Sequence, residues 1–232
     1  MSALEFDKVA ADTAKRIASA EFMDRVVAAC RGSGNPAALA WLGDGLQLEA
    51  TTRVIDLGAG LGGPAAWMRR RYGCEVVGLE PAPGASNGCR ELFDLPVVRG
   101  AASSVPFRCD AFDVALLLGV SSVVARPRLA FAEAHRVAGR LGCLEYVSCS
   151  TTAVLAGGSR FPTRRAMRTA LRDAGWHVLF NAPLRMSAPG PWSADANAQP
   201  KRPTTDADDS EAEVVAAIRS GAIEPHLYIG AR

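Results

Sequence analysis

Residues 54–64, reading Val-Ile-Asp-Leu-Gly-Ala-Gly-Leu-Gly-Gly-Pro, constrain this chain more than any other stretch. Val54 to Leu57 are mostly apolar and β-branched, as a strand buried in a parallel sheet requires. The glycines that follow let the backbone turn tightly and approach a bound molecule closely, and Pro64 fits the first turn of a helix. The stretch therefore reads as a strand that turns into a helix with a ligand held at the turn.

Two ligand classes compete for that turn. Gly58, Gly60 and Gly63 satisfy the G-x-G-x-x-G pattern of dinucleotide sites, in which a pyrophosphate sits on a helix N-terminus. Asp56, two positions before the first glycine, argues the other way: a carboxylate there repels a pyrophosphate but suits a ligand with an ammonium group and a positive sulfur. S-adenosylmethionine carries both. The run Asp56, Gly58, Gly60, Gly62 resembles the first motif of the class I S-adenosylmethionine-dependent methyltransferases. The longer string Asp-Leu-Gly-Ala-Gly-Leu-Gly-Gly-Pro-Ala resembles small-molecule members of the sarcosine and dimethylglycine type.

That resemblance implies an α/β fold: a Rossmann-like three-layer αβα sandwich whose mostly parallel seven-stranded sheet has an antiparallel last strand, with an N-terminal helical cap. A chain of 232 residues, half of them apolar, suits one such domain. Its parts are expected at 1–50 (cap), 51–186 (cofactor-binding core), 187–210 (exposed insertion rich in Pro, Ser and Gly) and 211–232 (last helix and strand). In the cap, apolar residues recur at helical spacing from Leu4 to Cys30, and in relatives such helices lie over the cofactor, so Phe6, Phe22 and Trp41 are either pocket or core residues.

Composition removes other classes. Lys plus Arg number 26 against 24 Asp plus Glu, a net charge of +2, so the chain lacks the overall basic character that drives nucleic-acid binding. The longest apolar stretch, Val114 to Val120, is too short to span a bilayer, and the N-terminus has no basic segment followed by an apolar run. A cytoplasmic protein with a small-molecule acceptor, no nucleic-acid or membrane partner, and a monomeric or homodimeric state is expected. The six cysteines show no C-x-x-C pair and no histidine at ligand spacing, so neither a metal site nor a disulfide framework is indicated.

After the first helix and Gly73, a second strand from Glu75 ends at Glu80, about twenty residues past the glycines, where a carboxylate can accept hydrogen bonds from both ribose hydroxyls. Gly100-Ala101-Ala102-Ser103-Ser104-Val105-Pro106-Phe107 resembles the family's Gly-Asp-Ala-x-x-Leu-Pro-Phe motif. Ala101 stands where the family usually has an aspartate that reads the adenine amino group, which leaves the backbone amides of Ala101 and Ala102, or the Ser103 hydroxyl, for that role and removes a bond worth about 1 kcal/mol. Asp110 to Leu118 reads as a turn feeding a buried fourth strand that ends at Gly119. The resemblance thus assigns cofactor binding to Asp56, Gly58, Ala59, Gly60, Gly62, Glu80, Pro81, Ala101, Ala102, Leu118 and Gly119, with S-adenosyl-L-homocysteine as product.

The acceptor side is less marked. Where many relatives place a histidine or acid after the fourth strand, this chain has only Ser121 and Ser122. Arg128 to Ala138 is expected as a helix with His135 in a structural role, then Gly139 and Gly142, then a strand from Leu144 to Cys149. Ser121, Cys149 and Trp192 are the residues expected near an acceptor, with Met186 beside Trp192. Arg160, Arg164, Arg165, Arg168 and Arg172 gather on or before a helix from Thr163 to Ala174, as a solvated face or as a surface for an acidic substrate or partner. No catalytic base is evident. The alternatives are a catalytically silent S-adenosylmethionine-binding protein, or an NAD(P)-dependent oxidoreductase, which Asp56 and the lack of a Tyr-x-x-x-Lys pair oppose.

Overall fold

The computed structural model describes residues 3–30, 36–155, 160–184 and 213–232, residue 215 excepted. Three helices come first: α1 (Ala3–Ile17), α2 (Phe22–Ala29) and α3 (Pro36–Gly45). The helical cap expected from Leu4 to Cys30 is built from two helices, with a break at residues 18–21 that lets α2 pack on the helix after the glycine turn (Gly63–Tyr72) while α1 packs on the helix that follows it (Pro83–Phe93).

The chain then alternates. β1 (Arg53–Leu57), α4 (Gly63–Tyr72), β2 (Glu75–Leu79), α5 (Pro83–Phe93), β3 (Val97–Val98), β4 (Phe112–Leu118), α6 (Pro127–Val137) and β5 (Ala138–Ser148) follow one another. A small antiparallel pair, β6 (Ala153–Val154) and β7 (Arg160–Phe161), was not foreseen; α7 (Arg164–Asp173), β8 (His177–Pro183) and β9 (Ile223–Ala231) complete the order. Val214 and Ala216 to Arg219 are helical ahead of β9.

One sheet takes the strands in the order β3-β2-β1-β4-β5-β9-β8. The first five run parallel, and β9 runs antiparallel to both β5 and β8. The strand order reverses between β1 and β4, so their carboxyl ends form the crevice in which open α/β sheets hold ligands. β5 starts six residues before the expected Leu144, directly after α6, and takes Gly139 and Gly142 into the ladder. A Cβ on Gly142 would come within 2.7 Å of Leu46 and 2.8 Å of Leu116, so this glycine lets α3 approach the sheet rather than breaking the strand.

Each face of the sheet buries its own apolar layer, which makes the three-layer sandwich. Val54, Leu116, Leu144, Leu227 and Ile229 pack against α1 to α5 through residues such as Ala14, Val26, Leu42, Met68 and Leu92. Ile55, Leu57, Ala115, Leu117 and Val147 pack against α6 and α7 through Phe131, Ala134, Met167 and Leu171. Alternation along β1 and β4 thus supplies both layers. Trp176 locks the second layer: its ring is 1% exposed, its indole N–H donates to the Phe131 carbonyl at 3.0 Å, and His135 meets it edge-on at 5.0 Å. His135 is structural, as expected.

Candidate active site

The glycine turn divides its labour among its residues. Gly58 and Gly62 adopt φ of +83° and +82° and are tightly packed: a Cβ on the first would lie 2.8 Å from Val120, and on the second 2.4 Å from the Cys89 sulfur. They shape the turn. Gly60, at φ +56°, has nothing nearer to its Cβ position than Phe6 of α1 at 3.9 Å. That empty space in front of the backbone is the cradle a ligand needs, and Phe6 is the cap residue that faces it. Phe22 instead packs edge-on against Phe93 and under Arg70, so it is core. Trp41 packs partly buried against the first apolar layer.

Two carboxylates close the cradle from below. Glu80, just past β2, accepts hydrogen bonds from Gly60 N through Oε2 and from Ala82 N through Oε1, both at 2.9 Å. It therefore fixes the turn, and each oxygen keeps a further lone pair. Asp56, on the face of β1 that also carries Val54, is 2% exposed, and no hydrogen-bond donor among the described residues meets its carboxylate. Burial, with the Glu80 charge added, pushes its pKa up to about 7. Glu80 is raised too, by burial first, against the opposing pull of the Ala82 and Gly60 amides and with the Asp7 charge contributing upward. Asp7 Oδ1 accepts from Gly84 N at 2.5 Å. The thiols nearest Asp56 are neutral, with Cys89 pushed up to about 12 by burial and Cys30 higher still.

The site is thus built from three acids on α1, on β1 and just past β2, with no cationic side chain among the described residues offsetting Asp56 or Glu80. Ionised together without a counter-charge, such groups repel one another. The missing partner is a cation, and a pyrophosphate would add to the repulsion.

At the neighbouring strand end, Gly119 has φ +75° and its N–H donates to the Leu144 carbonyl at 2.7 Å. Leu118 is 9% exposed, Ala102 is buried, and Ala101 and Pro81 are exposed. Sequence reasoning passed over Glu145, taking it as an interior strand residue. Its side chain is fully buried, and Oε1 accepts from Val120 N at 2.8 Å and Ser121 N at 2.7 Å, so a β5 acid holds the loop after β4. Among the described residues, no partner comes within hydrogen-bonding geometry of the buried Glu145 Oε2, Ser121 Oγ or Tyr228 Oη. Burial pushes Glu145 up to about 7 despite the amides of Ser121 and Val120. An acid within an otherwise apolar run, Cys143-Leu144-Glu145, was the signal available in the sequence.

Of the residues expected near an acceptor, Ser121 lies beside Gly119, and Cys149 is exposed in a groove lined by α7 and β8. Trp192 and Met186 lie outside the described residues, as does the 187–210 insertion. Cys109 is also exposed, so the cysteines are not uniformly buried.

Residues 55–144, from β1 into β5, match the family model described as a methyltransferase domain. The cofactor-binding core of this chain is thus similar to methyltransferase domains. A 76-residue segment is 33% identical to the glycine/sarcosine/dimethylglycine N-methyltransferase of Actinopolyspora halophila, covering 30% of this chain and only 14% of that protein's length. Among solved structures, the (4+2)-cyclase SpnF superposes with a TM-score of 0.69 at 20% identity, over 84% of this chain and 80% of that one. Geranyl diphosphate C-methyltransferase from Streptomyces coelicolor A3(2), solved with Mg2+, geranyl diphosphate and S-adenosyl-L-homocysteine, gives 0.68 at 18% identity, over 84% and 78%. These structures share the fold of the methyltransferase domain, and the cyclase shows that the fold also serves other named activities. No helix among the described residues is long and apolar enough to cross a membrane.

Proposed function

We propose that this chain binds S-adenosylmethionine at the glycine turn and transfers its methyl group to a small-molecule acceptor. The observation that carries the proposal is the pair of buried carboxylates, Asp56 and Glu80, with no cation beside them among the described residues. When bound, S-adenosylmethionine supplies a methyl group already activated on a positive sulfur. Asp56 provides the negative charge for its cationic amino-acid end. Glu80 takes the ribose hydroxyls with the lone pairs left over from Gly60 and Ala82, and Ala59, Gly60 and Gly62 form the wall along which the ligand lies. Pro81, Ala101 and Ala102 border the adenine, and Leu118 and Gly119 border the reacting end.

The protein's part is to hold the acceptor in line and exclude water, which can supply several kcal/mol through orientation. Phe6 covers the cradle from α1. Ser121 and the loop that Glu145 holds flank the acceptor's side. Of the three histidines, His135 packs against Trp176, His177 is exposed on β8, and His226 lies opposite Glu145 in the β5–β9 register, between Glu224 and Asn181. An acceptor that is already a neutral amine, a thiolate or a carboxylate needs no general base. The named activities of the relatives, on glycine derivatives and on geranyl diphosphate, support a small acceptor, as does the near-neutral net charge.

A second reading, cofactor binding without methyl transfer, draws on the cyclase among the structural neighbours and on Ala101 in the adenine motif. Calorimetric titration with S-adenosylhomocysteine and with NAD tests the binding site: heat with the first and none with the second is expected, and the reverse would sink both readings. Incubation with methyl-labelled S-adenosylmethionine and pools of amines, thiols, carboxylates and phenols separates transfer from silent binding.

A further inference from the structure

A groove of about 910 Å³ runs between α7 and β8, on the sheet face opposite Asp56. Arg164, Arg165, Arg168 and Arg172 line one wall, Asn181 and His177 of β8 the other, and Cys149 one end; no carboxylate is among the described lining residues. Arg164 is held by Glu224 at 3.1 Å and Arg172 by Asp173 at 3.4 Å, both from outside the lining. Arg165 and Arg168 have no acidic partner among the described residues. For a chain of net charge +2, this is a concentrated patch.

The spacing decides what it fits. Arg164, Arg168 and Arg172 recur every four residues, so their Cα atoms climb α7 in steps of about 6 Å over roughly 12 Å. An extended peptide presents every second side chain to one face at about 6.6 Å intervals, close to the same step. A compact anion would meet only one or two of the guanidinium forks. A single-stranded nucleic acid would want aromatic faces for its bases, and the one large ring here, Trp176, is 1% exposed. Small-molecule pockets are mostly enclosed and apolar, whereas this groove is open, basic and lined by hydroxyl and amide groups.

We infer that the α7–β8 groove is a docking site for an extended acidic segment of a partner protein, with carboxylates at alternate positions. The inference stands apart from methyl transfer, since it uses none of the residues of the glycine turn. The test uses the full chain without cofactor and a fluorescein-labelled Asp-Ser-Asp-Ser-Asp-Ser-Asp peptide, read by anisotropy at low ionic strength. Competitors are a peptide of equal composition with its four Asp residues contiguous, inorganic tripolyphosphate, and a short oligothymidylate.

The alternating peptide is expected to bind, to bind more tightly than the contiguous one and both phosphate compounds, and to lose roughly tenfold in affinity in Arg165→Glu/Arg168→Glu. Arg165→Gln/Arg168→Gln serves if charge reversal disturbs folding, as judged by thermal melting. Bound peptide should also slow alkylation of Cys149 while leaving exposed Cys109 unaffected. No binding, tighter binding of oligothymidylate or tripolyphosphate, an unchanged affinity in both double variants, or an unprotected Cys149 would each overturn the inference.

Discussion

The two charged regions of this molecule face opposite sides of the sheet and follow opposite physical rules. Asp56 and Glu80 are 2% and 4% exposed, sit next to each other on adjacent strand ends, and both have raised pKa values. Arg164 and Arg172 keep 54% and 73% of their side-chain surface and pair with single acids. Charges left in water cost the fold little and gain little from their partners. Charges taken out of water are expensive unless something neutralises them, and at the glycine turn the described residues supply amides to Glu80 but no donor to Asp56. Among the described residues the buried pair therefore lacks a counter-charge, whereas the arginine surface is stable as it stands.

The largest effect should come from removing the incomplete charge. Asp56→Asn keeps the shape of the side chain and deletes the attraction for a cationic ligand. A charge-assisted hydrogen bond is worth about 1.5–3 kcal/mol, so S-adenosylhomocysteine affinity should fall on the order of 10- to 150-fold by calorimetry. The variant should melt no lower than the parent, because the buried carboxylate has no partner to lose among the described residues. An unchanged affinity would mean that the cation sits elsewhere.

The same residue makes binding depend on pH. Asp56 has a pKa of about 7 in the free protein, and a bound ammonium favours its ionised form. Below that pH the ligand must drive off a proton before it can pair, so affinity should weaken as pH falls from 8 to 5, approaching tenfold per pH unit below 7. Above about pH 8 it should level off. In Asp56→Asn the profile should be flat over that range, and a persistent slope there would shift the titration to Glu80.

What could be read from the sequence was whatever local chemistry dictates. The β-branched run at Val54 and the glycines after it specify a strand and a tight turn whatever surrounds them. The acids at 56 and 80 fall at strand ends by simple counting, and the helical and β-periodic segments fall into a βαβ order that carries most of the sheet. Other features depend on contacts between distant segments. Nothing local to Gly142 says that Leu46 will approach it, so β5 was expected to start late. Nothing local to Glu145 says that the amides of Val120 and Ser121, a strand away, will meet its carboxylate. Gly58, Gly60 and Gly62 look alike as letters, and only the fold separates the one that opens on empty space from the two that are packed.

Glu145 offers a sharper version of the contrast, since it is a buried acid that does have donors. Its pKa of about 7 lies above the ordinary carboxylate range. A carboxyl group whose pKa is raised on folding contributes stability that is complete below its unfolded pKa and is lost as pH climbs through the folded value. The parent should therefore lose stability between about pH 4 and 7 on its account, by roughly 3 kcal/mol at most. Glu145→Gln should remove that part of the pH dependence and lower methyl transfer by loosening the loop at Ser121, while leaving S-adenosylhomocysteine affinity within about twofold. A loss of cofactor affinity as large as that of Asp56→Asn would place Glu145 in the cofactor site instead.

The smallest effect belongs to the arginines. Arg165 and Arg168 are exposed on α7, and its apolar stripe, Met167 and Leu171, is what fastens the helix to the sheet. Substitutions at such positions usually shift stability by no more than about 0.5 kcal/mol. Replacing both with Gln should leave the melting temperature, the cofactor affinity and its pH profile nearly as they were. The two guanidiniums repel each other and their neighbours Arg164 and Arg172, so a slight stabilisation at low salt that fades as salt is added is the expected sign. A loss of several degrees would show that these cations already have a partner within the folded chain, and the groove would then belong with the buried acids as a site whose charge is answered from inside the protein.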